Sequence, residues 1–152
     1  TSPLRRTRQT AAVIRPALDE SALLETNHGV WEGRSKADIA RLWPDLYHCW
    51  LTTPAQVAFP GGETFAATAK RVFTWFDHLA AQDGTFAAVT HGNVIQALLT
   101  RLLYRNLNDI WCFTPQPTAV TLIETHTPAK IVLLNDISHL KGLQSDLDLQ
   151  AI

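Results

Sequence analysis

Apolar residues recur along this chain with two different periods, and the alternation between them outlines an architecture. Leu4, Ala11, Ala12, Ile14 and Ala17 share one helical face between Pro3 and about Leu18. Ser2 and Pro3 stand where an N-cap and a first helical residue would, and Pro16 ends or kinks that helix. The segment Ser21 to Glu25 reads as a short strand or extended chain. Gly29 and Gly33 punctuate a loop around Trp31, and Lys36 to Trp43 suits one short helix before Pro44. Thr52 to Gly62, with two prolines and adjacent glycines, reads as a loop. Phe65, Ala69, Val72, Phe76, Leu79 and Ala80 then recur at helical spacing, predicting a long amphipathic helix over Glu63–Ala81 closed by the Asp83-Gly84 turn.

The period changes at TFAAVTHGN (85–93), where a short apolar strand runs through a glycine into a helix over Val94–Tyr104. TAVTLIET (118–125) and KIVLLN (130–135) flank the turn-prone His126, Thr127 and Pro128 and predict an antiparallel hairpin. Strands alternating with long helices argue an α/β sandwich, and the hairpin makes its sheet mixed. Residues 144–152 read as a loose tail on a single domain spanning 1–152.

Composition narrows the function. The 152 residues carry 13 Lys plus Arg against 14 Asp plus Glu, a net charge of -1, so no domain-wide positive field is available for nucleic acid. No apolar run exceeds six residues, far below the roughly 20 of a membrane span, and the start shows no charged-then-apolar signal pattern. Two cysteines, Cys49 and Cys112, are too sparse for a disulfide framework or a thiolate metal site and read as packing residues. The expectation is a cytoplasmic protein that binds neither nucleic acid nor membrane, with its oligomeric state open.

Three places attract chemistry. Arg5, Arg6 and Arg8 crowd the first turns of the first helix, where the macrodipole already favours acidic residues by roughly 0.3–1 kcal/mol each. They are either solvated arginines or the partners of an anion. His91 stands at the C-terminal end of a strand with Gly92 and Asn93 at the mouth of a helix, where open α/β sheets bind ligands and free amides meet anions. It is either a strand-end histidine or part of a phosphate site. Glu25 precedes a glycine-bearing loop and suits a general acid if burial raises its pKa, or a plain exposed carboxylate. Glu32 and Glu63 have similar glycine-flanked contexts, and Glu63 reads first as the N-terminal charge of its helix. The six histidines form no metal-binding pair, and no dinucleotide, Walker or serine-hydrolase motif occurs, so neither metal nor cofactor is expected.

Taken in order, SPLRRTRQTA (2–11), LLETNHGVWEG (23–33), FPGGE (59–63) and AAVTHGN (87–93) resemble the histidine phosphatase superfamily, in its phosphoglycerate-mutase-like branch, and NDISHL (135–140) is similar to its small phosphatases. The resemblance implies a three-layer α/β/α sandwich and a metal-independent phosphoryl transfer through a phosphohistidine, acting on a small phosphorylated metabolite. Residue by residue, it makes Arg6 the phosphate-gripping arginine, Glu25 the proton donor and His91 the second active-site histidine, with Gly92 and Asn93 beside the phosphate. It further implies a nucleophilic histidine in an Arg-His-Gly motif on a first strand. The sequence contains no Arg-His-Gly. The expectation is therefore an N-terminally incomplete domain, missing its first strand or strands, whose parent hydrolyses phosphomonoesters in the manner of an α-ribazole phosphatase while this chain alone is inactive. A phosphoglycerate mutase is the alternative within enzymes, and a noncatalytic phosphate-ligand binding or regulatory module is the alternative outside them.

Overall fold

The computed structural model describes residues 1–126 and 128–143, so the expected tail from 144 lies outside the described residues. Five α-helices stand among them: α1 (Arg5–Ile14), α2 (Lys36–Leu42), α3 (Pro44–Thr52), α4 (Phe65–Ala80) and α5 (Gly92–Leu102). Two strands, β1 (Val120–Glu124) and β2 (Lys130–Asp136), follow. Helix α4 begins where the Thr64 hydroxyl accepts from Ala67 N. It buries Phe65, Thr68, Ala69, Val72 and Phe76, the three-and-four spacing of one face, and packs against α5.

The larger core gathers Trp31, Ile39, Trp50, Val57, Phe59, Phe65, Ala69, Ala97 and Ile110, and a smaller cluster joins Leu23, Val72 and Val94. Edge-on ring pairs run through the larger one, with Trp50 at 5.2 Å from Phe65 and 5.1 Å from Phe59. The Trp31 indole nitrogen is buried there without a hydrogen-bond partner.

Several expectations need correction. The short helix expected over Lys36–Trp43 forms as α2, and Pro44 after it opens a further helix, α3, that was not expected, at the first helical turn where its missing N–H costs nothing. Ser2 is not the cap of α1, whose N-cap is Leu4 without a side-chain bond, because Ser2 N donates to Val89 O (2.9 Å) and keeps the chain extended. Ser21–Leu23 forms a single 3₁₀ turn rather than a strand. Cys49 packs against the core as expected, whereas Cys112 is exposed.

The hairpin forms as read, antiparallel, with irregular register between Val120↔Asp136, Leu122↔Leu133 and Ile123↔Ile131. The predicted strand at 85–90 is not formed: the segment carries no regular secondary structure and joins no ladder among the described residues. Thr1 explains the geometry: its amino group donates to Leu18 O (2.7 Å) and its carbonyl accepts from Glu20 N (2.8 Å), the offset of a parallel pair, while Ser2 faces Val89. Ser2 N and Thr1 Oγ1 both donate to Val89 O, the Thr90 hydroxyl donates to Leu23 O (2.8 Å), and Phe86 is left 47% exposed.

Two loops clasp each other over the core. Val30 N donates to Pro60 O (2.9 Å) and Glu63 N to Asn27 O (3.0 Å), so the 27–30 backbone crosses the 59–63 backbone at close range. A Cβ on Gly29, whose φ is +57°, would run into Pro60 O and Gly62 N, whereas one on Gly33, at φ +74°, would meet nothing within 4 Å. Gly33→Ala is therefore expected to cost about 1 kcal/mol for its backbone conformation, and Gly29→Ala about 3 kcal/mol or more once immovable backbone is added. Urea unfolding of both variants checks the difference, and equal costs would contradict the clasp.

Candidate functional site

One cleft of about 1430 Å³ collects the candidate residues: Arg6, Glu25, His91, Gly92 and Asn93 all line it. Its floor is the junction at His91, where the extended chain turns into α5 with His91 as N-cap. The imidazole is held from both sides. Arg6 Nε donates to His91 Nδ1 (3.2 Å), which places the ring proton on Nε2, and Nε2 donates to Ser2 Oγ (2.8 Å). Burial, then the nearby Arg6 and Arg71 charges, push the His91 pKa down to about 4, so the ring is neutral at pH 7.

Glu25 approaches the same helix end. Its Oε1 accepts from Thr26 N (2.9 Å) and its Oε2 from Asn93 N (3.4 Å). Burial raises its pKa against the pull of those two amides and of Arg6 and Arg71. A carboxyl that holds its proton more firmly beside an arginine and a helix N-terminus has the makings of a proton donor. At Gly92 nothing lies within 4 Å of where a Cβ would stand, so no neighbour crowds the cleft at the start of α5.

Two cleft residues, His28 and Arg71, had no assigned part in the sequence reading. His28 Nε2 lies 3.0 Å from Asn93 Nδ2, and its ring packs edge-on against Phe59 at 4.6 Å; burial brings its pKa down to about 4, partly opposed by Glu63. Arg71 donates to Ala22 O (2.7 Å) and Glu25 O (3.3 Å) and pairs with Glu63 at 2.9 Å. Glu63 also accepts from Asn27 N (2.9 Å), and the Arg71 pair and that amide hold its carboxyl below the usual range. Its expected role as the helix N-terminal charge gives way to this pairing, since Thr64 supplies the cap. Ser2 anchors His91 rather than a helix. Glu32 and Lys36 also line the cleft.

Arg5 and Arg8 do not share the site of Arg6 in the same way, for Arg8 is paired with Asp19 and neither lines the cleft. No group of three or more His, Cys, Asp or Glu side chains among the described residues is placed to hold a metal ion. No described helix is long and apolar enough to cross a membrane.

Residues 1–137 match the model of the histidine phosphatase superfamily, branch 1. The chain belongs to this superfamily. It is 28% identical over 147 residues to phosphoserine phosphatase 1 of Hydrogenobacter thermophilus, covering 91% of this chain and 70% of that protein. The adenosylcobalamin/alpha-ribazole phosphatase of Salmonella typhimurium is 27% identical over 141 residues, covering 86% and 70%. Phosphoglycerate mutases are among the relatives too. Among solved structures, Bacillus stearothermophilus YhfR superimposes with a TM-score of 0.83 at 25% identity, over 91% of this chain and 73% of that one. The α/β fold class expected from the sequence is that of these histidine phosphatase structures.

Both buried histidines take a proton in the unfolded chain near pH 6.5 but in the folded chain only near pH 4. The unfolded state therefore binds more protons between those values, and stability falls as pH drops from about 6.5 to about 4, by up to roughly 1.4 kcal/mol per pH unit for each histidine. Glu25, with its raised pKa, works in the opposite sense as it gains its proton. Proton NMR titration should place the His28 and His91 midpoints near 4, and Arg6→Ala should move that of His91 upward while leaving His28 in place. An unmoved His91 would contradict the Arg6 contact.

Proposed function

We propose that the complete protein is a metal-independent phosphomonoesterase that transfers phosphate through a phosphohistidine, with this chain carrying the phosphate grip and the proton donor. The observation that carries the reading is the convergence of Arg6, Glu25 and His91 on the N-terminus of α5. Phosphoryl transfer is mostly positioning and charge stabilisation. The Arg6 guanidinium offers forked donors for two phosphate oxygens, and the α5 amides with Asn93 Nδ2 offer more. An arriving phosphate dianion favours the protonated form of His91, in which Nδ1 gains a proton, gives up the Arg6 Nε–H and donates to the phosphoryl oxygens as charge builds on them.

In the first step a P–N bond forms to a histidine outside these 152 residues while the P–O bond to the alcohol breaks, and the Glu25 proton passes to the departing alkoxide. In the second, Glu25 takes a proton from water as its oxygen attacks phosphorus and frees the histidine. The alcohol portion is α-ribazole-like, on the resemblance of PGGE and NDISHL to small phosphatases of that group, and the two unpaired cysteines fit the reducing cytoplasm.

With no Arg-His-Gly in its sequence, this chain alone should leave p-nitrophenyl phosphate unhydrolysed. In the complete protein Glu25→Gln should slow alkyl phosphate hydrolysis by about 100-fold or more, in the range general acids supply, and p-nitrophenyl phosphate far less, because its phenolate leaves unaided. Steady-state kinetics on both substrates checks this. Equal losses would remove the acid role from Glu25, and a complete protein that binds phosphate without turnover would favour the noncatalytic binding module.

A further inference from the structure

His28 is a polar ring in an apolar seat. It is only 7% exposed, and its imidazole meets Phe59 edge-on at 4.6 Å and Trp50 at 6.1 Å. A phenylalanine would fill that seat without the cost of drawing two ring nitrogens away from water, so packing alone does not call for a histidine. Among the described residues the ring has one hydrogen-bond partner, Asn93 Nδ2, at 3.0 Å from His28 Nε2.

The chemistry of that contact fixes which side donates. An amide nitrogen donates and does not accept, so His28 Nε2 is the bare nitrogen and the ring proton sits on Nδ1. His91, in the same cleft, holds the other tautomer, with its proton on Nε2 toward Ser2. Burial brings the His28 pKa down to about 4, which keeps its Nε2 lone pair available at pH 7. Both partners are anchored through their backbones. Beside His28, Asn27 N donates to Glu63 Oε1 (2.9 Å), Glu63 N donates to Asn27 O (3.0 Å) and Gly29 N donates to Asn27 Oδ1 (2.9 Å). Across the cleft, Asn93 N donates to Glu25 Oε2 (3.4 Å).

An asparagine side chain has a donor end and an acceptor end of nearly the same shape, and only the donor end is of use to an oxyanion. We propose that His28 is a positioning residue for the bound anion: its Nε2 takes one Asn93 Nδ2 hydrogen, sets the direction of that amide and leaves the second hydrogen for a phosphoryl oxygen. The inference rests on the phosphate-binding reading of Arg6, His91 and Asn93 and adds His28 to it. His28 touches no reacting atom and acts through Asn93. The amide's freedom is given up before the anion arrives, so binding does not bear that cost.

The test titrates the chain as it stands with inorganic phosphate at pH 7 in a calorimeter, each variant being checked for folding by circular dichroism. His28→Phe keeps an edge-on ring and removes the acceptor, and it should weaken phosphate binding about tenfold, the worth of one hydrogen bond to a charged group. His28→Gln, whose side-chain oxygen can stand where Nε2 stood, should stay within about threefold of the parent chain. Asn93→Ala should lose at least as much as His28→Phe, and adding His28→Phe to it should change nothing further, because no amide is left to position. Nitrogen NMR of the imidazoles supplies a reading that packing would not move: the bare nitrogen should be Nε2 in His28 and Nδ1 in His91. Phosphate binding undiminished by His28→Phe, equal losses in His28→Phe and His28→Gln, a His28→Phe loss that persists on the Asn93→Ala background, or a His28 proton on Nε2 would each overturn the positioning role and leave the phosphate site standing. Failure of phosphate to bind the parent chain, or binding indifferent to Arg6→Ala, would sink the phosphate reading itself and this inference with it.

Discussion

The imidazole of His91 joins parts of the chain that are 85 and 89 residues apart, and the rest of the cleft takes its position from that contact. One ring nitrogen receives Arg6 from the first turn of α1, and the other reaches Ser2 on the extended stretch before it. The start of α1 is thereby held against the start of α5. Two helix N-termini facing one space make a locally positive field with no acidic residue in the first turn of either helix. Glu25 is the carboxyl admitted there, and burial keeps it from discharging that field by favouring its protonated form.

The opposite wall is held by Arg71, which binds the carbonyls of residues 22 and 25 and the Glu63 carboxylate at once. Through Glu63 the same guanidinium reaches Asn27 N, and through the loop clasp it reaches Gly29 and Pro60. The segment from Ala22 to Val30, which carries both Glu25 and His28, is therefore pinned at several points although it contains only single 3₁₀ turns. Irregular backbone can hold a proton donor in place when a half-buried arginine satisfies its carbonyls.

Much of this was legible before any coordinates. Helices α4 and α5 announce themselves because one apolar face repeats through several turns, and the hairpin because two β-rich runs flank a turn. Arg6, Glu25 and His91 stood out because each sits where its residue type is locally unfavourable or chemically suggestive. What escaped has tertiary causes. Pro44 stops one helix and starts another, so α3 was hidden behind a residue with two opposite local meanings. The 85–90 run has the apolar residues of a strand, yet a ladder is a property of two segments, and the run joins none among the described residues. Nothing local in Arg71 tells that it spans 46 residues to Glu25, and no period along the chain brings Trp50 to Trp111.

The uncapped start of α1 has a thermodynamic corollary. Arg5, Arg6 and Arg8 crowd a helix end that has no side-chain cap and no acid in its first turn, an arrangement that leaves the folded state less stable than a capped helix would. An anion bound there relieves what the sequence imposes, and it does so only when the chain is folded. Ligand at one hundred times its dissociation constant then adds about 2.7 kcal/mol to the stability of the whole domain. On the proposed phosphate site, the melting temperature would thus rise with the anion concentration around the protein, readable with no turnover at all.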